Sequence, residues 1–254
     1  MTLILASARV ETRRLIRSGA LIGLLAVFAF FGLSGPALAL YMPELLAAAA
    51  GTEQLTIEAA DATPMDGIAL FNQSAMQLGL ILAVALAITS MSWDTRPGSS
   101  IFYRTRVRHL APLLMLPRLV INWIAAVGSY AGALLLAAAL TTVFLGPIDS
   151  GLIITVGVAS ALYLIMAMSI GYLIMALTRR TAPAIAAATL LMLVLPLLSS
   201  VDALTTWAPT TLLTASGVGL ADLAAPLLSA AAVSVGCVIT AGLISNRQSL
   251  RRDA

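Results

Sequence analysis

The chain has 254 residues, of which 60% are hydrophobic and only 10% charged, with a formal net charge of +3. An ordinary soluble domain carries about 25% charged residues, and a fold of this length cannot hide so much apolar surface. A polytopic membrane protein is therefore expected, and intrinsic disorder is excluded. No lysine occurs, so all 14 basic residues are arginine. A P-loop needs a lysine to reach nucleotide phosphates, and Schiff-base chemistry needs a lysine amine, so neither belongs to this chain. The one cysteine, Cys237, excludes an intrachain disulfide, and the one histidine, His109, excludes paired-histidine zinc motifs. No enzyme activity, metal or cofactor is expected of the chain itself, and no nucleic-acid partner.

Residues 2–17 are too polar to span a bilayer but fit a helix. At 100° per residue, Ile4, Leu5, Ala8, Leu15 and Ile16 gather on one face, and Arg9, Arg13, Arg14 and Arg17 on another. Two readings fit this pattern: an amphipathic helix lying in the inner headgroup layer, or a plain basic anchor for the first span.

Six apolar segments approach the ~20 residues that a bilayer core of ~30 Å requires. They are residues 19–40, 68–92, 119–144, 152–177, 184–201 and 223–244, the fifth being short and interrupted by Pro196. Ala37-Leu38-Ala39 resembles a signal-peptide cleavage site. The apolar run before it exceeds an h-region of about 7–15 residues, which favours a retained helix.

Charge orients the spans. Arg9, Arg13, Arg14 and Arg17 precede the first, and Arg96, Arg104, Arg106, Arg108 and Arg118 separate the second and third. Arg179 and Arg180 separate the fourth and fifth, and Arg247, Arg251 and Arg252 follow the sixth. With six spans every arginine falls on one side, and Glu44, Glu53, Glu58, Asp61, Asp66, Asp149, Asp202 and Asp222 fall on the other. The positive-inside rule then places both termini in the cytoplasm.

Between the second and third spans, residues 93–112 form the longest internal cytoplasmic stretch. Ser99 or Ser100 can cap a short helix that Pro112 would stop. That helix would expose Ile101, Phe102 and Tyr103 among Arg104, Arg106 and Arg108. Such a surface suits either a protein partner or anionic lipid, at about 1 kcal/mol per arginine. On the opposite side, residues 202–222 carry Trp207, Pro209 and Gly217-Val218-Gly219, a stretch that can dip into the membrane and return or simply anchor at its surface.

The middle of each span lacks Asp, Glu, Lys, Arg and His. Ion-coupled transporters commonly keep such a group near the midplane, so a self-powered carrier is disfavoured. Milder polar groups, Asn72, Gln73, Ser74 and Gln77, cluster toward the outer end of the second span. Asn72, Gln73 and Gln77 are candidates for a path taken by an amphipathic substrate, and equally for solvated helix-end residues. Gly19-Ala-Leu-Ile-Gly23 and Gly128-Ser-Tyr-Ala-Gly132 match the pattern that permits close helix contact.

In combination these features resemble the permease subunits of type-2 ABC transporters, the export-type family. The resemblance rests on six spans with both ends inside, a basic amphipathic first helix, and an outward segment before the last span. It rests also on Asp94, then Gly98-Ser99-Ser100, then Ile101 to Val107, then Pro117-Arg118. Leu110-Ala111-Pro112 stands where the family usually has Pro-x-Ser/Thr-Arg.

The resemblance implies a single all-α transmembrane domain over residues 1–254 in a bacterial cytoplasmic membrane. Residues 2–17 would be its elbow helix and 202–222 its outer re-entrant segment. Ser99, Ile101, Phe102, Tyr103, Arg104 and Arg106 would belong to a coupling helix docked on a separate ATPase subunit. That subunit would bind Mg-ATP, and a second permease, identical or different, would complete the path for a lipid, glycolipid, drug or peptide. The alternatives are a membrane scaffold that recruits a soluble partner without transport, and a stand-alone secondary transporter.

Overall fold

A computed structural model describes residues 2–50, 62–92, 111–196 and 206–251. Among them every regular element is helical. In chain order these are α1 (Thr2–Arg17), α2 (Ala20–Ala50), α3 (Pro64–Ser74), a π-turn (Ala75–Gly79) and α4 (Leu80–Met91). A second π-turn (Ala111–Met115), α5 (Leu116–Phe144), α6 (Ser150–Thr178) and α7 (Thr181–Val194) follow. A 3-10 segment (Pro209–Gly217) and α8 (Ala224–Arg251) complete the set.

Five stretches are long and apolar enough to cross a membrane: Ala20–Glu44, Pro64–Met91, Leu113–Phe144, Ser150–Thr178 and Ala224–Asn246. They match the first, second, third, fourth and sixth expected spans, each a little longer overall. The chain is a multi-pass membrane protein. The expected fifth span, 184–201, corresponds only in part to α7. That helix has 14 residues, about 21 Å at 1.5 Å per residue, and it gives way to 3-10 geometry at Leu195 and Pro196. The rest of that span, from residue 197, lies outside the described residues, as do residues 93–110 of the expected coupling loop.

Local chemistry sets the helix ends. The second span starts at Pro64, four residues before expectation, because the Asp66 carboxylate accepts from the Thr63 backbone N–H (2.9 Å) and hydroxyl (2.6 Å). Asp149 caps α6 by accepting from the Gly151 N–H at 3.1 Å. Arg179 ends it in the left-handed region at φ 56°, and α7 begins two residues later, so α6 and α7 are joined by a tight turn.

Pairwise contacts fix the helix directions. Gly35 abuts Phe71 and Gly79 abuts Phe28, so α2 runs antiparallel to the α3–α4 span. Phe28 meets Tyr130 and Gly32 meets Ala133, so α2 and α5 run parallel. Gly157 lies against Leu134, and the Tyr172 hydroxyl donates to the Met115 sulfur at 3.3 Å, so α6 returns antiparallel to α5. These directions gather α1, Arg118 and the Arg179-Arg180 turn at one end of the bundle, and Asp66 and Asp149 at the other.

The tight seams lie at glycines the sequence motifs did not mark. A Cβ on Gly35 would sit 2.7 Å from the Phe71 backbone, and one on Gly32 would sit 2.8 Å from the Ala133 carbonyl. A Cβ on Gly19, Gly23, Gly128 or Gly132 would meet nothing within 4 Å. The two GxxxG matches therefore make no close helix contact among the described residues, because all four glycines are exposed.

The first helix also docks differently from its expected pattern. Ser7, Glu11 and Leu15 are its buried face, whereas Ile4, Leu5 and Ile16 are exposed. The Ser7 hydroxyl donates to the Leu114 carbonyl at 3.0 Å. Arg14 reaches Glu11 at 3.1 Å, and Asn122 Nδ2 on α5 donates to the same carboxylate oxygen at 3.4 Å. A carboxylate thus pins the helix to α5. The exposed apolar residues and the exposed Arg9, Arg13 and Arg17 face outward, as an interfacial helix requires.

The two glycine groups give a direct test of the seam. Gly35→Val should destabilise the chain by about 1–3 kcal/mol through overpacking, while Gly128→Val should stay within about 0.5 kcal/mol. Unfolding midpoints in detergent, followed by tryptophan fluorescence, measure both.

Candidate functional site

In the second span, α3 passes into α4 through the π-turn. There the Leu80 N–H donates to the Ala75 carbonyl, a five-residue step. Such a turn widens the helix and shifts the side chains that follow it. Gly79 makes room for the change, since a Cβ there would come within 2.5 Å of the Phe28 ring.

On the core side of this span lies Asn72, which is buried. Its Oδ1 accepts from the Tyr130 hydroxyl and the Ser160 hydroxyl, each at 2.8 Å. Its Nδ2 donates to the Leu213 carbonyl at 3.2 Å. One carboxamide therefore ties α3 to α5, α6 and the 3-10 segment. Tyr130, midway along the 29-residue α5, is held by aromatic packing as well. It stacks on Phe71 with centroids 5.5 Å apart and meets Phe28 edge-on at 5.8 Å.

On the other side of the same span is a cavity of about 550 Å³. Gln73, Met76, Gln77 and Leu80 form one wall, Tyr163 of α6 lines the interior, and Met192 and Leu193 of α7 stand opposite. Leu213 and Thr214 of the 3-10 segment also line it. No charged residue is among the described lining residues. The volume falls within the range of about 300–1,000 Å³ typical of small-molecule sites.

The three candidate path residues thus part company. Gln73 and Gln77 are exposed and line the cavity together, whereas Asn72 is absent from its wall and serves the interhelical network. Tyr163, Tyr130 and Ser160 carried no signal in the sequence, because a tyrosine or serine inside an apolar run looks like any other span residue. Ser99, Ile101, Phe102, Tyr103, Arg104 and Arg106 lie outside the described residues. Among the described residues, no three His, Cys, Asp or Glu side chains come close enough to hold a metal ion.

The 3-10 segment corresponds to the described part of the expected outward stretch, 202–222. Leu212 and Ala215 are buried, while Trp207 is exposed. The segment packs on α6, α8 and α3, which bury Thr210, Leu212 and Ala215, while Thr214 and Gly217 are exposed.

Compared with protein-family models, with curated proteins and with solved structures, the chain finds no match. The functional reading of the cavity rests on its own chemistry.

Two substitutions test the carboxamide network. Asn72→Leu keeps the side-chain size but strands three partners, and should cost about 1–3 kcal/mol of stability. Ser160→Ala removes one donor and should cost about 0.6 kcal/mol. Denaturation in mixed micelles separates the two effects.

Proposed function

We propose that the chain is the transmembrane permease subunit of an ATP-driven ABC exporter for a hydrophobic or amphipathic substrate. The cavity beside the π-turn, whose described lining carries no charge, supports this reading. It offers amide and hydroxyl groups on apolar walls, which suits a lipid, glycolipid, drug or peptide better than a small ion. The absence of lysine is in keeping with a division of labour in which a separate subunit binds Mg-ATP. A docked basic first helix and arginines gathered at one end of the bundle agree with the same reading.

In this proposal α7 and the residues after it make the fifth of six crossings, and both termini face the cytoplasm of a bacterial cell. The segment containing Ser99, Ile101, Phe102, Tyr103, Arg104 and Arg106 docks on the ATPase. A second permease copy or a different permease chain pairs with this one. ATP then drives transport by favouring one packing of the pair over the other.

Two experiments bear on the proposal. Phe102→Ala combined with Tyr103→Ala should release the ATPase during affinity purification, or abolish ATP turnover, while membrane insertion persists. Unchanged assembly and turnover would remove the docking role. Capture of a soluble partner with no transport in vesicles would favour a scaffold instead. Gln73→Leu combined with Gln77→Leu should change substrate-stimulated ATP turnover at least several-fold in reconstituted vesicles, and wild-type turnover would detach the cavity from the transport path.

A further inference from the structure

The Tyr163 side chain is 0% exposed, yet its hydroxyl has no hydrogen-bond partner among the described residues. A buried tyrosine hydroxyl usually finds a partner, and an orphan in a membrane interior is costly. Tyr163 also lines the cavity beside the π-turn. The network nearby does not satisfy it, since the acceptor oxygen of Asn72 already takes protons from Tyr130 and Ser160. Tyr163 thus carries an unsatisfied donor on a residue that lines the cavity, and no described group takes it.

The walls define that occupant. Met76, Leu80, Met192 and Leu193 give an apolar bed with flexible thioethers that adapt to a chain. The described lining has no charge to pair with an ion, so a charged group placed among these residues would be left unpartnered. Gln73, Gln77 and Leu193 are exposed, Leu193 at 61%, so the cavity is open on the flank between the π-turn and the end of α7.

We infer that this cavity, contained within one chain, binds the acyl-ester portion of an uncharged amphiphile drawn sideways from the bilayer. The ester carbonyl accepts from the Tyr163 hydroxyl, the apolar chain lies along the methionine and leucine walls, and the amides of Gln73 and Gln77 meet the polar end at the opening. The inference rests on the cavity being part of a substrate path, and it names the class of substrate.

A binding experiment on the full-length chain in nanodiscs, without any ATPase, tests it. The probe is a monoacylglycerol carrying a photoactivatable diazirine in its acyl chain, with the matching ionised fatty acid as the charged comparison. The monoacylglycerol should label the peptides containing Met76 or Met192-Leu193, and the fatty acid should label them several-fold less. Tyr163→Phe should reduce labelling by about five- to tenfold, the loss expected for one hydrogen bond to a buried donor. Leu193→Trp, at an exposed position where misfolding is not expected, should block the opening and reduce labelling similarly.

Labelling spread evenly over the exposed faces of α2 and α8 would overturn the inference. So would wild-type labelling by either variant, or equal labelling by the fatty acid. Because no ATPase is present, failure here leaves the coupling experiments standing, and their failure leaves this one readable.

Discussion

A single carboxamide holds the centre of this bundle together. Lipid offers no hydrophobic contrast between one apolar helix and another, so spans associate through close packing and a few polar contacts. Asn72 supplies three such contacts at once, to α5, α6 and the 3-10 segment. Its two acceptor sites and one of its donors are engaged without any charge, which avoids the desolvation cost of an ion pair. The arrangement also orders its surroundings, because Tyr130 must stay upright between Phe71 and Phe28 to reach it.

From that anchor the second span acquires two faces with different duties. Asn72 points into the packed interior, while Gln73 and Gln77 border the open cavity. The π-turn follows Asn72 and Gln73, contains Gln77, and widens the helix where the cavity begins. Glycine seams at Gly32 and Gly35 hold α2 firmly against α5 and α3. The rigid side and the open side of the bundle are thus separated by one helix.

Much of this architecture was legible in the residues. Runs of apolar side chains marked the spans, and the arginine pattern anticipated which turns gather at one end. The capping chemistry of Thr63 and Asp66 was readable too, and would have moved the second span's start to Pro64. What was hidden depended on tertiary partners. Asn72 looked like a path residue because its two hydroxyl partners lie 58 and 88 positions away. The GxxxG matches misled because glycine and alanine are abundant here, and spacing does not tell which helix face meets a neighbour. Glu11 was overlooked because the docking stripe of α1, Ser7, Glu11 and Leu15, is mostly polar. An apolar periodicity search passes over such a stripe.

The inward turn of Glu11 has an electrostatic consequence at the other face of the same helix. It is the sole acid among the first 17 residues, and it is withdrawn from the surface. Among the described residues, Arg9, Arg13 and Arg17 form no ion pair with a carboxylate, while Arg14 takes the one that Glu11 offers. A basic strip of this kind, laid against a bilayer surface, gains about 1 kcal/mol per arginine from acidic lipids, so its hold would loosen as those lipids are depleted.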